Sequence, residues 1–349
     1  MLQLIYEQNS PKGIVKNKNV TYSSCLILKE ADKFGVGWRI LPCTPLVELN
    51  YNGKKKIFYY QIPSSTTALA KYVCTNKEVA INLLLDKGIS VPKGYRVNKA
   101  SSDEYLLSVY NNLQKPLVVK PGNGSQGDNI TVNIVDFDEC LKAIDLALAY
   151  TGKKDSIAIV EEMFDGTEYR ILATREKVIG VLYRRPASVM GNGIDSIKKL
   201  IEKKNKNPIR VEKKGITSHT KIIMDERMLK ILRESNMNFS SIPHKGKRIY
   251  LRRVSNISQG GDAIDFTDKV HLSVKKIALE AINTIPGLSF AGIDFMSKDI
   301  TKKQTKDLYT IIEINESPGF DIHDFPYEGN NRYAAREFLF LMFPGLKKL

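Results

Sequence analysis

The chain has 349 residues, of which 42% are hydrophobic, and its formal net charge is +15. This length is enough for a large buried core and predicts two or three lobes. No apolar run approaches the roughly 18 residues that a membrane span needs, so we expect no membrane association. The first residues also lack the basic, apolar and small-residue sections of a secretion signal.

The cysteines are few and scattered, and they form neither a CxxC pair nor a cluster with histidine. They are Cys25, Cys43, Cys74 and Cys140. Such spacing predicts free thiols and favours a cytoplasmic location, where thiols stay reduced.

The positive charge is concentrated between Lys198 and Arg253, where 17 lysines and arginines stand against 5 acidic residues. Such a stretch is compatible with nucleic acid, an anionic surface or an acidic substrate. A lysine-rich solvated surface is the simpler interpretation. Because aromatic residues are sparse there and no nucleic-acid module is present, we do not expect nucleic acid as a partner.

The first third of the chain predicts a compact α/β lobe. Residues 1 to about 72 favour short strands and loops, with a first strand at 1–7. A helix opening at 64–70 and a stronger helix at 76–87 follow. Gly88 is the predicted end of the second helix, because glycine readily adopts the left-handed conformation that ends many helices.

Strands and helices alternate through the rest of the chain. Strands are predicted at 117–121, 130–134, 157–163, 166–172 and 178–183. The last three are expected to form an antiparallel meander. Helices are predicted at 137–150, 195–205, 225–235, 267–285 and 332–342. Thr267 is the expected capping residue of the fourth.

Two late strand-like runs, 290–296 and 309–315, carry oxygen-bearing residues in apolar surroundings. Side chains alternate along a strand, so Glu313 and Asn315 face the same side. If the runs pair as a hairpin, Asp294 lies beside them, and these oxygens suit Mg²⁺ rather than a soft metal. For Asp294 alone, a solvent-facing position at a strand end is an equal alternative.

A glycine-rich loop follows the strand at 117–121. Its candidate anion-binding members are Gly122, Gly124, Ser125 and Gly127. Glycines let backbone N–H groups approach an anion closely. The loop lacks the Walker pattern and precedes a strand, so a plain hairpin turn explains it nearly as well. Lys120, which closes the apolar strand, favours an anion site, and Lys77 is a second candidate.

The next candidates lie around the strand at 157–163. Backbone groups of Glu161, Glu162 and Met163, taken as a strand edge, are candidates for hydrogen bonds to an adenine edge. Glu168 is a candidate for the ribose hydroxyls, and Arg170 for a phosphate or a carboxylate. Taken alone, Glu168 and Arg170 would form an ordinary surface ion pair.

The order of these residues resembles the ATP-grasp superfamily. The matching segments are Lys77, Val119-Lys120-Pro121, Glu161-Glu162, Gly166-x-Glu168-Tyr169-Arg170, Arg184-Arg185-Pro186-Ala187, Gly292-Ile293-Asp294 and Glu313-x-Asn315-x-x-Pro318-Gly319. Within it, the chain is most similar to the ATP-grasp portions of cyanophycin synthetase and of bifunctional glutamate–cysteine ligase/glutathione synthetase. The markers include Asn192-Gly193, Asn207-Pro208, Asn256 to Asp268 and His323-x-Phe325-Pro326.

The resemblance implies an α+β chain. Two α/β lobes grip ATP, and a small N-terminal α/β lobe precedes them in the sequence. The implied domains are an N-terminal lobe at 1–74, a small ATP-grasp lobe at 75–156 and a large lobe at 157–349, with a basic insertion at about 186–253. The implied activity is that of an ATP-dependent carboxylate–amine ligase. It joins amino acids or short peptides through an acyl phosphate and releases ADP and phosphate.

The resemblance also implies residue roles. Two Mg²⁺ ions, for which Mn²⁺ could substitute, would be held by Asp294, Glu313 and Asn315. Lys77 and Lys120 would hold phosphates, and the 122–127 loop would close over the γ-phosphate. The acyl substrate and its oxyanion would be held by Arg185, with Arg170 or Arg253. The predicted cradle of the intermediate is Asn256, Ser258, Gly260 and Gly261.

Other interpretations stay open at this point. The ligase could act on a larger peptide or a polymer end, or the chain could be a non-catalytic nucleotide-binding regulatory module. His271 and His323 are candidate bases, although a structural role is the simpler interpretation for each. Homo-oligomerisation through the N-terminal lobe is a further expectation from the resemblance.

Overall fold

The computed structural model describes residues 20–122, 129–150, 156–212 and 217–348. The predicted strand at 1–7 lies outside them. A helix and a four-stranded antiparallel sheet, ordered β1-β2-β3-β4, come first. They are α1 (Tyr22–Lys33), β1 (Gly37–Ile40), β2 (Leu46–Tyr51), β3 (Lys54–Tyr59) and β4 (Ile62–Pro63). Thr21 caps α1 by accepting a hydrogen bond from Ser24 N at 3.1 Å.

A second antiparallel sheet, ordered β5-β8-β6-β7, follows two helices. These elements are α2 (Ala68–Thr75), α3 (Lys77–Asp86), β5 (Gly94–Asn98), α4 (Asp103–Asn112), β6 (Leu117–Pro121), β7 (Thr131–Ile134), α5 (Phe137–Ala149) and β8 (Ile157–Glu162). Helix α3 ends as predicted, because Gly88 has a φ of +73°. Apolar residues of α5, including Ala143 and Ile144, pack on this sheet around Val119 and Val160.

The main sheet has five strands in the order β15-β10-β9-β16-β17. Its first two strands and the insertion that follows them are β9 (Thr167–Thr174), β10 (Val178–Arg185), β11 (Ser188–Met190), α6 (Ile197–Asn205), β12 (Arg210–Val211), β13 (His219–Thr220), α7 (Glu226–Glu234) and β14 (Arg248–Tyr250). The remaining elements are β15 (Asp262–Asp265), α8 (Leu272–Thr284), β16 (Phe290–Ser297), β17 (Tyr309–Asn315), α9 (Asp321–Asp324) and α10 (Ala334–Met342).

The main sheet is covered on both faces. On one face, α2, α3 and α8 bury residues such as Ile171, Ile293 and Phe295. On the other, Phe290 packs with α10 and with the N-terminal elements in a second core. The N-terminal sheet therefore shares its apolar core with the main sheet. The insertion has a core of its own around Ile201, Met228 and Ile249.

Three sequence expectations are corrected by this fold. The strand at 157–162 does not join β9 and β10 in a meander, because it pairs with β5 and β6 in the smaller sheet. The helix predicted at 267–285 begins only at Leu272, with His271 as its capping residue. Thr267 instead donates to Asp265 Oδ1 at 2.5 Å and accepts from Val181 N at 2.9 Å.

Other elements agree with the predictions, since the hairpin of β16 and β17, the β6–β7 pair and helices α3, α5, α6 and α7 all occur where expected. All four cysteines are free thiols. Among the described residues, no helix combines the length and the apolar character that crossing a membrane requires.

Candidate active site

Three charged side chains lie in register across neighbouring strands of the main sheet. Arg170 on β9 is directly opposite Asp294 on β16, which is directly opposite Glu313 on β17. Residues opposite each other in antiparallel strands project to the same face, so the register of the three strands brings these three groups together. The predicted hairpin and the predicted closeness of Asp294 and Glu313 are therefore both present.

Arginines surround the first carboxylate. Arg170 Nε lies 2.8 Å from Asp294 Oδ1, and Arg184 Nη2 on β10 lies 3.3 Å from the same atom. Arg184 also forms a close ion pair with Glu168, whose other oxygen accepts from Ser255 Oγ. Glu168 is therefore engaged by Arg184, and Arg170 by Asp294, rather than the two forming a pair with each other.

The second carboxylate lies beside an amide and a lysine. Lys77, the first residue of α3, places Nζ 3.4 Å from Glu313 Oε2. Asn315 satisfies both its neighbours when its nitrogen donates to Glu313 Oε1 at 3.0 Å and its oxygen accepts from Arg170 Nη1 at 3.2 Å. We call the connected group of these side chains the cross-strand cluster. Its members are Lys77, Glu168, Arg170, Arg184, Asp294, Glu313 and Asn315.

The chemistry of this cluster fits a hard divalent cation. Asp294, Glu313 and Asn315 offer only carboxylate and amide oxygens, which Mg²⁺ prefers. Within the described ranges, no group of three or more His, Cys, Asp or Glu side chains could hold a metal ion. Two carboxylates are nevertheless enough for Mg²⁺ in a nucleotide site, because phosphate oxygens and waters complete its shell.

Lys120 makes a buried ion pair in the smaller sheet. Its Nζ lies 2.6 Å from Glu161 Oε1, and the two side chains are only 4% and 5% exposed. Glu161 Oε2 is also buried and has no hydrogen-bond partner among the described residues. An unpaired buried carboxylate oxygen is costly, so a further donor or cation at this position would be stabilising.

The expectation that 161–163 presents a free strand edge is wrong. Strand β8 lies inside its sheet, between β5 and β6. Glu162 N donates to Lys93 O and Met163 N to Pro116 O, both at 2.9 Å. These two N–H groups are therefore not available to an adenine. The side chain of Glu162 accepts from Gln114 N at 3.0 Å.

Arg185, predicted to hold the acyl substrate, lies outside the cross-strand cluster. Its Nε and Nη2 donate to Asp262 Oδ2 at 3.1 and 3.0 Å, and Nη2 lies 2.6 Å from Glu328 Oε1. The neighbouring Arg184 is the arginine of this segment that joins the cluster. Sequence reasoning missed Arg184, although strand alternation relative to Arg170 and Glu168 could have indicated it.

The glycine loop at 256–261 packs around an arginine rather than around open space. The carbonyls of Gly260 and Gly261 accept from Arg210 at 3.1 and 3.3 Å. A Cβ on Gly261 would lie 2.9 Å from Arg185 O, so a side chain is excluded there. Asn256 Oδ1 accepts from Ser258 N at 2.9 Å and from Ser258 Oγ at 2.7 Å.

The remaining candidates are Arg253 and the members of the glycine loop at 122–127. Arg253 forms an ion pair with Glu234 in which both side chains are exposed. Gly124, Ser125 and Gly127 lie outside the described residues, whereas Gly122 N donates to Ile157 O at 2.8 Å.

The contacts and the burial of the two histidine candidates indicate structural roles. His271 caps α8, and its Nδ1 lies 2.9 Å from Ser273 Oγ. His323 is fully buried, and burial lowers its pKa to about 3.

Comparison with known proteins shows which enzymes the chain is similar to. No protein-family model matches it. It is 33% identical to the glutathione biosynthesis bifunctional protein of Clostridium perfringens over 96% of its own length, and 32% identical to the cyanophycin synthetase of Geminocystis herdmanii over 98%. The bifunctional glutathione synthetase of Pasteurella multocida, of known structure, covers 94% of the chain with a TM-score of 0.75 and 28% identity. The chain has the ATP-grasp fold.

This ATP-grasp chain corresponds to part of each relative. It spans 43% of the Clostridium protein, 38% of the Geminocystis protein and 44% of the Pasteurella chain. The similarity extends to residues before Lys77, where none of the quoted motifs lies. The α+β class and the ATP-grasp fold are confirmed.

Proposed function

We propose that this chain is an ATP-dependent ligase that joins a carboxylate to an amine through an acyl phosphate. The observation that carries the proposal is the cross-strand cluster, in which oxygen ligands and cations meet on four adjacent strands. Phosphoryl transfer to a carboxylate brings together two anions, so their repulsion has to be cancelled and the charge of the transferred group spread.

Asp294, Glu313 and Asn315 would hold Mg²⁺ with the nucleotide phosphates. When bound, the ion would neutralise charge on the terminal phosphates. The described ion pairs indicate how the protein prepares for this charge. Lys77 and Arg170 already compensate Glu313 and Asp294. We propose that each of these cations also contacts a phosphate oxygen when the nucleotide is bound.

Arg184 is our candidate for holding the reacting carboxylate and the developing oxyanion. Its guanidinium is mostly buried and spans the space between Glu168 and Asp294. A cation fixed in a site of low dielectric stabilises developing negative charge more strongly than one in water. Glu168 orients Arg184 in this arrangement, and Ser255 in turn donates to Glu168.

Lys120 is proposed to contact a nucleotide phosphate from the smaller lobe. It stands directly before Pro121 and Gly122 at the end of β6, and Glu161 holds its ammonium in place. Amide formation then needs the acyl phosphate to be shielded from water. We assign that role to the 122–127 loop, most of which lies outside the described residues.

The substrates are proposed to be amino acids or short peptides, in line with the names of the relatives. ADP release measured over pairs of amino acids, dipeptides and γ-glutamyl compounds tests this, with mass spectrometry of the product. We expect release that needs both a carboxylate and an amine. Tight ATP binding without turnover across the whole panel would instead favour a regulatory module.

A further inference from the structure

A cavity of about 360 Å³ lies between the insertion and the end of β10. Three cations, Arg185, Lys204 and Arg248, line it together with one carboxylate, Glu328. The cavity is distinct from the cross-strand cluster, because none of the members of that cluster lines it. Its charge favours an anionic occupant.

The cations at this cavity are built into the protein. Lys204 Nζ lies 2.7 Å from both Ser188 O and Asp262 Oδ2, and its side chain is 11% exposed. Asp262 is fully buried and also binds Arg185 and Arg210. One carboxylate is thus shared by three cations, and positive charge remains in excess around it.

Two further observations describe the surroundings of these cations. Burial lowers the pKa of Lys204 to about 8, although Asp262 opposes that change, and Arg210 and Arg185 lower it further. The ring of Tyr327 lies 5.0 Å from Lys204 Nζ and 5.1 Å from the Arg210 guanidinium carbon, so it helps to hold both cations. An added anion would be attracted by charges whose positions are already fixed.

Two of the lining residues, Glu328 and Arg248, are held less firmly than the other charged residues. Glu328 accepts from the buried Arg185 at 2.6 Å, yet its own side chain is 52% exposed. It therefore occupies Arg185 as an exchangeable carboxylate. The guanidinium of Arg248 makes only one hydrogen bond within the described ranges, at 3.4 Å to Ser188 Oγ, so most of its side-chain donors are free for a ligand.

We propose that this cavity binds a non-reacting carboxylate of an acidic substrate, which displaces Glu328 from Arg185 and engages Arg248. The carboxylate is a non-reacting one because Arg185 and Arg184 alternate along β10, and only Arg184 meets the cluster that would hold the phosphates. That the ligand is a substrate rests on the proposed ligase function, whereas the binding itself does not.

Titration calorimetry of the nucleotide-free protein tests the binding. The probes are glutamyl-glutamate, its analogue glutaminyl-glutamine amide, which has no carboxylate, and inorganic phosphate. We expect the acidic dipeptide to bind at least about tenfold more tightly than the amide analogue, as hydrogen bonds between charged groups imply. Arg248→Gln should remove most of this preference. Lys198→Gln, an exposed lysine on the same helix as Lys204, should keep it.

A second variant gives a change of opposite sign. Glu328→Gln removes the competing carboxylate but keeps its shape, so it should tighten binding of the acidic dipeptide by several-fold. Equal affinity for the two dipeptides, stronger binding of phosphate, or unchanged binding in both Arg248→Gln and Glu328→Gln would overturn the proposal. Because no nucleotide is present, these outcomes are independent of ADP release, so failure of the ligase proposal can be distinguished.

Discussion

Arg184 and Arg185 are adjacent on β10, yet their guanidinium groups belong to different clusters. Arg184 meets Glu168 and Asp294, whereas Arg185 meets Asp262 and Glu328. Alternation along the strand separates the two side chains. As a result, one short segment supplies a cation to the candidate active site and another to the cavity beside the insertion.

Replacing Arg184 by glutamine should lower kcat for ADP release by about 100-fold or more, because removal of one preorganised donor from an anion-stabilising site has effects of that size. The fold should survive, since Asp294 keeps its ion pair with Arg170. Steady-state kinetics and thermal unfolding measure the two quantities. Arg227→Gln, an exposed residue of α7, is the matched control. Activity within twofold of wild type would remove Arg184 from the site.

Glu313→Gln should abolish measurable turnover while preserving the fold. The amide keeps the size of the side chain but removes the charge that a cation and Lys77 would meet. Residual activity, if present, should need far more Mg²⁺ than wild type, which a Mg²⁺ titration of ADP release shows. Glu212→Gln, whose side chain is 84% exposed, controls for charge loss. A normal Mg²⁺ dependence in Glu313→Gln would contradict the proposed role.

Local sequence patterns predicted the hairpin that carries Asp294 and Glu313, because two apolar runs of strand length leave few other pairings. They could not place β8, since strand order within a sheet depends on contacts between residues far apart in sequence. Arg185 was chosen over Arg184 for a similar reason. Which of two adjacent side chains faces the site depends on the register of β10 with β9 and β15.

The prediction that Thr267 caps a helix was wrong because other groups compete for its hydroxyl. A threonine before an apolar run is a common helix start, but here its hydroxyl is used by Asp265 and by the backbone of Val181. His271 then caps α8 instead. Tertiary hydrogen bonds of this kind cannot be read from neighbouring residues.

Buried histidines should make the protein sensitive to acid. Burial lowers the pKa of His219 and of His323 to about 3. The unfolded chain takes up a proton near pH 6.5, whereas the folded chain does not, so stability falls as pH drops from 6.5 towards 3. Each histidine should cost about 1.4 kcal/mol of unfolding free energy at pH 5.5.

Urea unfolding from pH 7.5 to 5.5 measures this effect in wild type and in His323→Asn. The slope of the unfolding free energy against pH reports how many protons are taken up on unfolding. Near pH 5.5 this number should be smaller by about one in the variant, whatever its absolute stability. An unchanged slope would show that His323 titrates normally in the folded protein.

Asp324 should have the opposite pH dependence. Burial raises its pKa to about 7, and this outweighs the backbone N–H groups of Ala334 and Ala335, which donate to the carboxylate and favour its charged form. The folded pKa lies above the unfolded one, so its stabilising contribution is complete below about pH 4 and is lost as pH rises through 7.

Asp324→Asn removes this titration. Relative to wild type, the variant should gain unfolding free energy between pH 4 and 8, on the order of 4 kcal/mol at the upper limit. Urea midpoints of both proteins across that range provide the measurement, and Asp307→Asn, an exposed aspartate between β16 and β17, serves as control. If the difference between Asp324→Asn and wild type stays constant with pH, the carboxylate is already ionised in the folded protein. The two N–H groups at the start of α10 would then outweigh burial.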